Sequence, residues 1–142
     1  MHLSYLDVTT RGFCMSKIVA FVDDSKTVLM TAEMAVNKLV ESGHIDLKLF
    51  TNPLDVLADV ENGFIYDLLI TDVNMPEMNG LDMAKRLKSN PALKLKPILA
   101  LTTENSSDLK SKAKEIGLTG WITKPFSANK LEMGIKRVLR LR

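Results

Sequence analysis

The chain has 142 residues, the length of one compact domain. Hydrophobic residues make up 46% of it and charged residues 25%, which are ordinary globular values and exclude a disordered or fibrous chain. The 19 Lys and Arg against 17 Asp and Glu leave a net charge of +2, too close to balance for a dedicated nucleic-acid-binding protein.

The first residues of the chain show no targeting signal. Residues 1–14 lack the basic start and the apolar run of a secretory signal peptide. Cys14 is the only cysteine, which excludes a disulfide within the chain. We treat residues 1–15 as an N-terminal extension and residues 16–142 as the folded domain. Two interpretations of the extension stay open: Met15 is the natural initiator, or the extension packs on the domain.

Short apolar runs then alternate with longer amphipathic stretches. Strands are predicted over Ile18–Val22, Leu47–Phe50, Leu68–Ile70, Ile98–Leu101 and Trp121–Ile122. Helices are predicted from Asp24 or Ser25 to Ser42, after Asn52-Pro53, over Leu81–Leu87, from Ser106 to Ile116, and from Ser127 to Leu141. Since none of the apolar runs approaches the length of about 20 residues that spans a bilayer, we expect a cytoplasmic protein with no membrane partner.

This alternation predicts an α/β domain with a five-stranded parallel sheet and helices on both faces. The first, third and fourth predicted strands are continuous apolar runs, typical of strands that are covered on both faces. The second alternates and the fifth is short, as expected at the edges of a sheet. These patterns favour the strand order 2-1-3-4-5 of flavodoxin-like folds, in which ligands bind beyond the carboxyl ends of strands one and three.

Polar residues stand at the carboxyl ends of four predicted strands. Asp23 and Asp24 follow the first, Asp72 follows the third, Thr102 the fourth and Lys124 the fifth. Three carboxylates at one edge need a proton or a bound cation, and an all-oxygen set favours Mg²⁺. The negative oxygens of a phosphoryl group can contact such a metal, the lysine and the hydroxyl at the same time. Aspartate is also a nucleophile toward phosphorus.

The ordered motifs resemble the receiver domain of bacterial response regulators, chemotaxis proteins in particular. The similarity runs from Lys17 nearly to the end of the chain. The motifs that carry it are Asp23-Asp24-Ser25, Thr71-Asp72-Val73-Asn74-Met75-Pro76 with Gly80, Leu101-Thr102, and Lys124-Pro125-Phe126.

The resemblance implies a role for each acidic residue. It makes Asp72 the phosphoacceptor and places Mg²⁺ directly on Asp24 and Asp72. Asp23 is then a ligand through water, and the main-chain carbonyl of Asn74 completes the protein ligands.

The resemblance also implies a switch. Thr102 is the hydroxyl that moves toward the phosphoryl group, Lys124 is its cationic partner, and the Lys124–Pro125 bond is cis. Trp121 matches the aromatic residue that moves when the site is phosphorylated. Asn74 and Glu104 match the positions that tune the lifetime of the phosphoryl group.

By this resemblance we expect a stand-alone response regulator that is phosphorylated by a sensor histidine kinase and then binds a downstream protein. The expected pathway is chemotaxis, with an effector such as a flagellar motor switch on the face of the fourth and fifth predicted helices. A phosphorelay intermediate and a phosphate sink are the alternatives. Such a protein catalyses its own phosphorylation and dephosphorylation but turns over no separate substrate.

Two other classes fit the sequence less well. A phosphohydrolase with an aspartyl intermediate needs a second acid two residues after its nucleophile, but Asn74 and Ser25 occupy those positions. A flavodoxin-type cofactor binder needs a first loop that cradles phosphate, and Asp23-Asp24 would repel that anion.

Overall fold

A computed structural model describes residues 16–103 and 106–141. The N-terminal extension and Glu104 therefore lie outside the described residues. The elements are β1 Lys17–Val22, α1 Lys26–Ala35, α2 Asn37–Glu41, β2 Ile45–Phe50, α3 Pro53–Glu61, β3 Leu68–Asp72, α4 Gly80–Lys88, β4 Ile98–Thr102, α5 Ser107–Ile116, β5 Gly120–Thr123 and α6 Ala128–Leu139. Among the helices so described, none combines the length and the apolar character that crossing a membrane requires.

The five strands form one parallel sheet in the order β2-β1-β3-β4-β5, which confirms the predicted fold class and strand order. Every residue of β3 and β4 is buried, whereas β2 and β5 alternate between covered and exposed positions. The difference follows from position, because central strands of such a sheet are covered on both faces and edge strands are not.

Alternate residues of the strands enter different clusters of the core. On one side, Phe21 and Ile70 pack with Leu29 of α1 and Leu131 of α6. The other large cluster joins further strand residues to α3 and α4 through Val56, Met83 and Leu87. This division follows from the two-residue period of a strand and fixes the sheet between two helical layers.

The first predicted helix differs from the structure, since it is interrupted at Val36 and continues as the short helix α2. Val36 has φ −106° and ψ 10°, outside the helical region. Its β-branched side chain is stiff in a helix, and Asn37 is also a weak helix former. Both Val36 and Leu39 stay buried in the same cluster, so the interruption leaves the apolar pattern intact.

Candidate functional site

The predicted acidic residues lie along the carboxyl edge of the sheet. Asp23 directly follows β1, and its N–H donates to the carbonyl of Phe50 at the end of β2. Asp72 is the last residue of β3 and pairs with Leu101 of β4, next to Thr102. Because β1 pairs with both β2 and β3, the acidic residues lie where the winding of the sheet reverses.

Asp23, Asp24 and Asp72 form one cluster. One carboxylate oxygen from each residue lies within 4.8 Å of one carboxylate oxygen of the other two. Asp23 and Asp72 are buried and Asp24 is exposed, so the cluster opens to solvent on the side of Asp24. Mg²⁺ prefers oxygen ligands and usually retains several water ligands in proteins. Carboxylate oxygens that are open to solvent on one side meet both requirements. The residues present therefore fit that ion.

Ser25 fixes the first acidic loop. Its backbone N–H donates to Oδ1 of Asp23 at 2.9 Å, and its hydroxyl accepts from the N–H of Val28 at 3.3 Å, capping α1. The same residue thus starts the helix and orients the buried carboxylate.

Lys124 brings a positive charge to the cluster. Its Nζ lies 2.7 Å from Oδ2 of Asp23 and 3.3 Å from Oδ1 of Asp72. Its backbone N–H donates to the carbonyl of Thr102 at 2.9 Å, and the Lys124–Pro125 bond is cis, as the sequence resemblance implied. The strand end and the following turn thus hold the lysine over both acidic residues.

Burial and neighbouring charges shift the pKa values of these groups. Burial raises the pKa of the Asp72 carboxyl, and the charge of Asp23 raises it further, while Lys124 acts in the opposite direction. Burial by itself lowers the pKa of Lys124, but the hydrogen bond and charge of Asp23, together with Asp72, raise it overall. The site therefore holds a cationic Lys124 beside Asp72, whose ionised form is unfavourable in this surrounding. A bound cation would stabilise that ionised form.

The backbone of Asp72 is held from two sides. The hydroxyl of Thr71 donates to the Asp72 carbonyl oxygen at 2.9 Å. The start of α4 packs against the same carbonyl, so closely that a Cβ on Gly80 would overlap it. The N–H of Gly80 donates to the carbonyl of Val73 at 2.8 Å, which closes the loop. Only glycine allows this approach, and the contact ties the position of Asp72 to that of α4.

Thr102 and Trp121 both border one small void. Thr102 is 2% exposed, whereas Trp121 is 40% exposed. The void measures about 10 Å³, and Leu109, Lys110 and Ala113 of α5 also line it. This volume is close to that of a single water, far smaller than an indole ring. Trp121 is therefore partly exposed at the surface, and the void that it borders is too small to hold its ring.

Of the two residues predicted to tune the lifetime of the phosphoryl group, the structure describes Asn74. Asn74 is exposed in the loop after β3, at the mouth of an open groove of about 890 Å³ between α4 and α5. Glu104, the other predicted lifetime residue, is outside residues 16–103 and 106–141, and its prediction is not tested.

Two contacts could not be predicted from the sequence. A Cβ on Gly80 would overlap the carbonyl oxygen of Asp72. The Nζ of Lys110 lies 5.2 Å from the centroid of the Trp121 ring. No signal in the sequence could reveal that contact, since it depends on how α5 packs beside β5.

Comparisons with known proteins agree with this geometry. A family model described as the response regulator receiver domain matches residues 19–136. The chemotaxis protein CheY1 of Helicobacter pylori is 32% identical over 118 residues, 83% of this chain and 93% of that protein. The cyclic di-GMP phosphodiesterase response regulator RpfG of Xanthomonas campestris is 32% identical over 126 residues, and the chain spans only 32% of its length.

A solved structure shows the same fold. The chemotaxis response regulator CheY4 of Vibrio cholerae superimposes with a TM-score of 0.76 at 33% sequence identity. The superposition covers 87% of this chain and 99% of that one. The two proteins thus share one fold over most of this chain.

Proposed function

The chain belongs to the family of response regulator receiver domains, and on that premise we propose that Asp72 accepts a phosphoryl group from a sensor histidine kinase in a Mg²⁺-dependent reaction. The observation that carries the proposal is that Lys124 lies within salt-bridge distance of both Asp23 and Asp72 while Asp24 completes the acidic cluster. Residues 16–142 form the receiver domain in this proposal.

Four residues would hold the metal. Asp24 and Asp72 would bind Mg²⁺ directly, Asp23 through water, and Asn74 through its main-chain carbonyl. Both carboxylate oxygens of Asp23 already engage protein groups, the N–H of Ser25 and the ammonium of Lys124, which supports an indirect role for Asp23. When bound, Mg²⁺ would neutralise the charge on the oxygens of the transferred group.

The acceptor step needs little from the protein beyond position and charge. A carboxylate oxygen of Asp72 forms a bond to phosphorus as the bond from phosphorus to the kinase imidazole nitrogen breaks, and the electron pair of that bond stays on the nitrogen. Lys124, held over Asp72, stabilises the negative oxygens of the transferred group.

The output of the switch begins at Thr102. Its hydroxyl would donate to the phosphoryl oxygens, and Trp121 would follow it inward. Because a void of about 10 Å³ is too small for an indole ring, we expect Leu109 and Ala113 of α5 to move away as the ring enters. A change at the acceptor would therefore reach α5, and we place the docking surface for a downstream protein on α5 and α6, the fourth and fifth helices predicted from the sequence.

Further functional assignments follow from the chemotaxis relatives. We propose a chemotaxis role with a motor-type effector, no nucleic-acid partner and a cytoplasmic location. We also propose that Asn74 and Glu104 set the lifetime of the phosphoryl group. The protein would catalyse its own phosphorylation and dephosphorylation without a separate substrate.

The intact mass of the protein after incubation with Mg²⁺ and acetyl phosphate tests the acceptor. We expect one added phosphoryl group on the wild type and none on Asp72→Asn, because the amide is a poor nucleophile. Asp55→Asn, which changes an exposed aspartate of α3, is the matched control and should be labelled like the wild type.

Chelation of Mg²⁺ should abolish the added mass on the wild type. Equal labelling of Asp72→Asn would refute the assignment of the acceptor. Unlabelled wild type, with acetyl phosphate and then with a phosphorylated histidine kinase as donor, would refute the proposed function itself.

A further inference from the structure

The partly exposed ring of Trp121 has a charged neighbour. The Nζ of Lys110 on α5 lies 5.2 Å from the centroid of the indole ring, within the range of a cation–π interaction. The salt bridges among residues 16–103 and 106–141 do not involve Lys110. Lys110 thus contacts the indole ring and makes no salt bridge among those residues.

The position of Lys110 links this contact to the site. Lys110 directly follows Leu109, and both border the void that Trp121 and Thr102 also line. Any shift of α5 that enlarges the void must also move the backbone of Lys110. The cation–π contact belongs to the described position of the ring, and movement of the ring together with α5 would change its geometry.

We propose that Lys110 is a positioning residue for Trp121, whose ammonium stabilises the outward ring and so opposes its movement toward Thr102. The inference rests on the proposed function, since it is the phosphoryl group at Asp72 that would draw Thr102 and then Trp121 inward. A phosphoryl group or its analogue that prefers the inward ring shifts the equilibrium toward that state. A contact made only with the outward ring opposes this shift and so weakens the apparent binding of the analogue.

A double-mutant cycle tests the contact without any phosphoryl chemistry. Lys110→Gln and Trp121→Leu are made singly and together, and urea unfolding is followed by circular dichroism. We expect a coupling of about two- to fivefold in the unfolding equilibrium constant, the factor that corresponds to a solvent-exposed cation–π contact. The matched cycle with Lys112→Gln, an exposed lysine of the same helix, should show no coupling.

The second measurement is the binding of beryllofluoride, a tetrahedral analogue of the phosphoryl group, in the presence of Mg²⁺. It is followed by the fluorescence of Trp121, the only tryptophan of the chain. Lys110→Gln should bind about two- to fivefold more tightly than the wild type, because the outward state has lost its stabilising cation. Lys110→Arg keeps the cation and should restore wild-type affinity, and Lys112→Gln should not alter it.

The outcomes separate the two proposals. Absence of coupling in the double-mutant cycle overturns the positioning role of Lys110. Coupling without tighter binding in Lys110→Gln also overturns it, since the contact then does not oppose the switch. If no variant binds beryllofluoride but the cycle shows coupling, the contact stands and the proposed phosphoryl site is what fails.

Discussion

The carboxylate of Asp23 is fully buried, and Lys124 is its charged partner. A buried ion pair contributes little relative to an apolar pair, but removal of one partner leaves the other charge uncompensated. The hydrogen bond from Ser25 accounts for one carboxylate oxygen only. Lys124 therefore has a role in the stability of the fold in addition to its proposed role in phosphoryl transfer.

Replacement of Lys124 by methionine, which keeps most of the apolar stem, should destabilise the protein by about 3 kcal/mol, since it leaves the charge of Asp23 buried without a cation. Urea unfolding measures the change. Lys130→Met, at an exposed lysine of α6, should stay within about 0.5 kcal/mol of the wild type.

Addition of Asp23→Asn to Lys124→Met should recover part of the loss, because the two residues are coupled. If Lys124→Met unfolds at the same urea concentration as the wild type, the ion pair has no part in stability.

The sequence sufficed to predict which acidic residues and which lysine meet, because each directly follows or ends a strand of known direction. It did not predict the exposure of Trp121 or its contact with Lys110. Those features depend on the packing of a helix against a strand from another part of the chain, and the local pattern around either residue carries no information about it.

Among the elements, α4 has the closest relation to the site, because its first residue, Gly80, contacts the backbone of Asp72. Asn79 caps the helix by accepting from the N–H of Leu81 at 2.8 Å, and buried Leu81 and Met83 then fix it to the sheet. The helix therefore cannot move away to make room for a side chain at position 80 without loss of its packing.

Gly80→Ala should destabilise the protein by about 1–3 kcal/mol, since the new methyl group overlaps the Asp72 carbonyl and forces a backbone shift. The same shift should slow phosphorylation by acetyl phosphate. Thermal unfolding and the rate of mass increase measure the two effects.

The matched control is Gly134→Ala in the middle of α6. There a Cβ would meet only Ile122 at 3.6 Å, an ordinary contact, and alanine is the better helix former. That variant should be as stable as the wild type or more stable by about 0.5–1 kcal/mol. Equal unfolding temperatures for both alanine variants would contradict the proposed clash.

The order of the elements followed from the apolar patterns, but the interruption at Val36 did not. The periodicity of buried residues continues through Val36 to Leu39, so the pattern predicted one helix. Periodicity indicates which face of the chain is buried, whereas the continuity of a helix depends on backbone angles that a single β-branched residue can change.

The fold as a whole places mutually repelling carboxylates at one edge of a stable sheet. Burial and the charge of Asp23 raise the pKa of Asp72, so the folded protein holds that proton more tightly than the unfolded chain. A raised carboxyl pKa contributes stability below the ordinary value of about 4, and this contribution is lost as the pH rises through the folded-state pKa. The ionised cluster is thus a cost to folding near neutral pH.

In the absence of Mg²⁺, the contribution of Asp72 to the stability of the wild type should therefore fall as the pH rises from about 4 toward neutrality. Asp72→Asn lacks this titration, so we expect it to be more stable than the wild type at pH 7 and nearly equal to it below pH 4. Urea unfolding at a series of pH values measures both. Lower stability of Asp72→Asn at pH 7 would contradict the raised pKa.

Addition of Mg²⁺ should reverse the order of the two proteins. A cation that binds only the folded state stabilises it by mass action, by about 2.7 kcal/mol when its concentration is a hundred times its Kd. The wild type offers Asp24 and Asp72 as oxygen ligands, while Asp72→Asn has lost one charged ligand and should gain much less. Asp55→Asn, changed outside the cluster, should gain as much as the wild type. Equal stabilisation of wild type and Asp72→Asn would mean that Mg²⁺ binds elsewhere, and the acidic cluster would then be explained by its ion pairs with Lys124 alone.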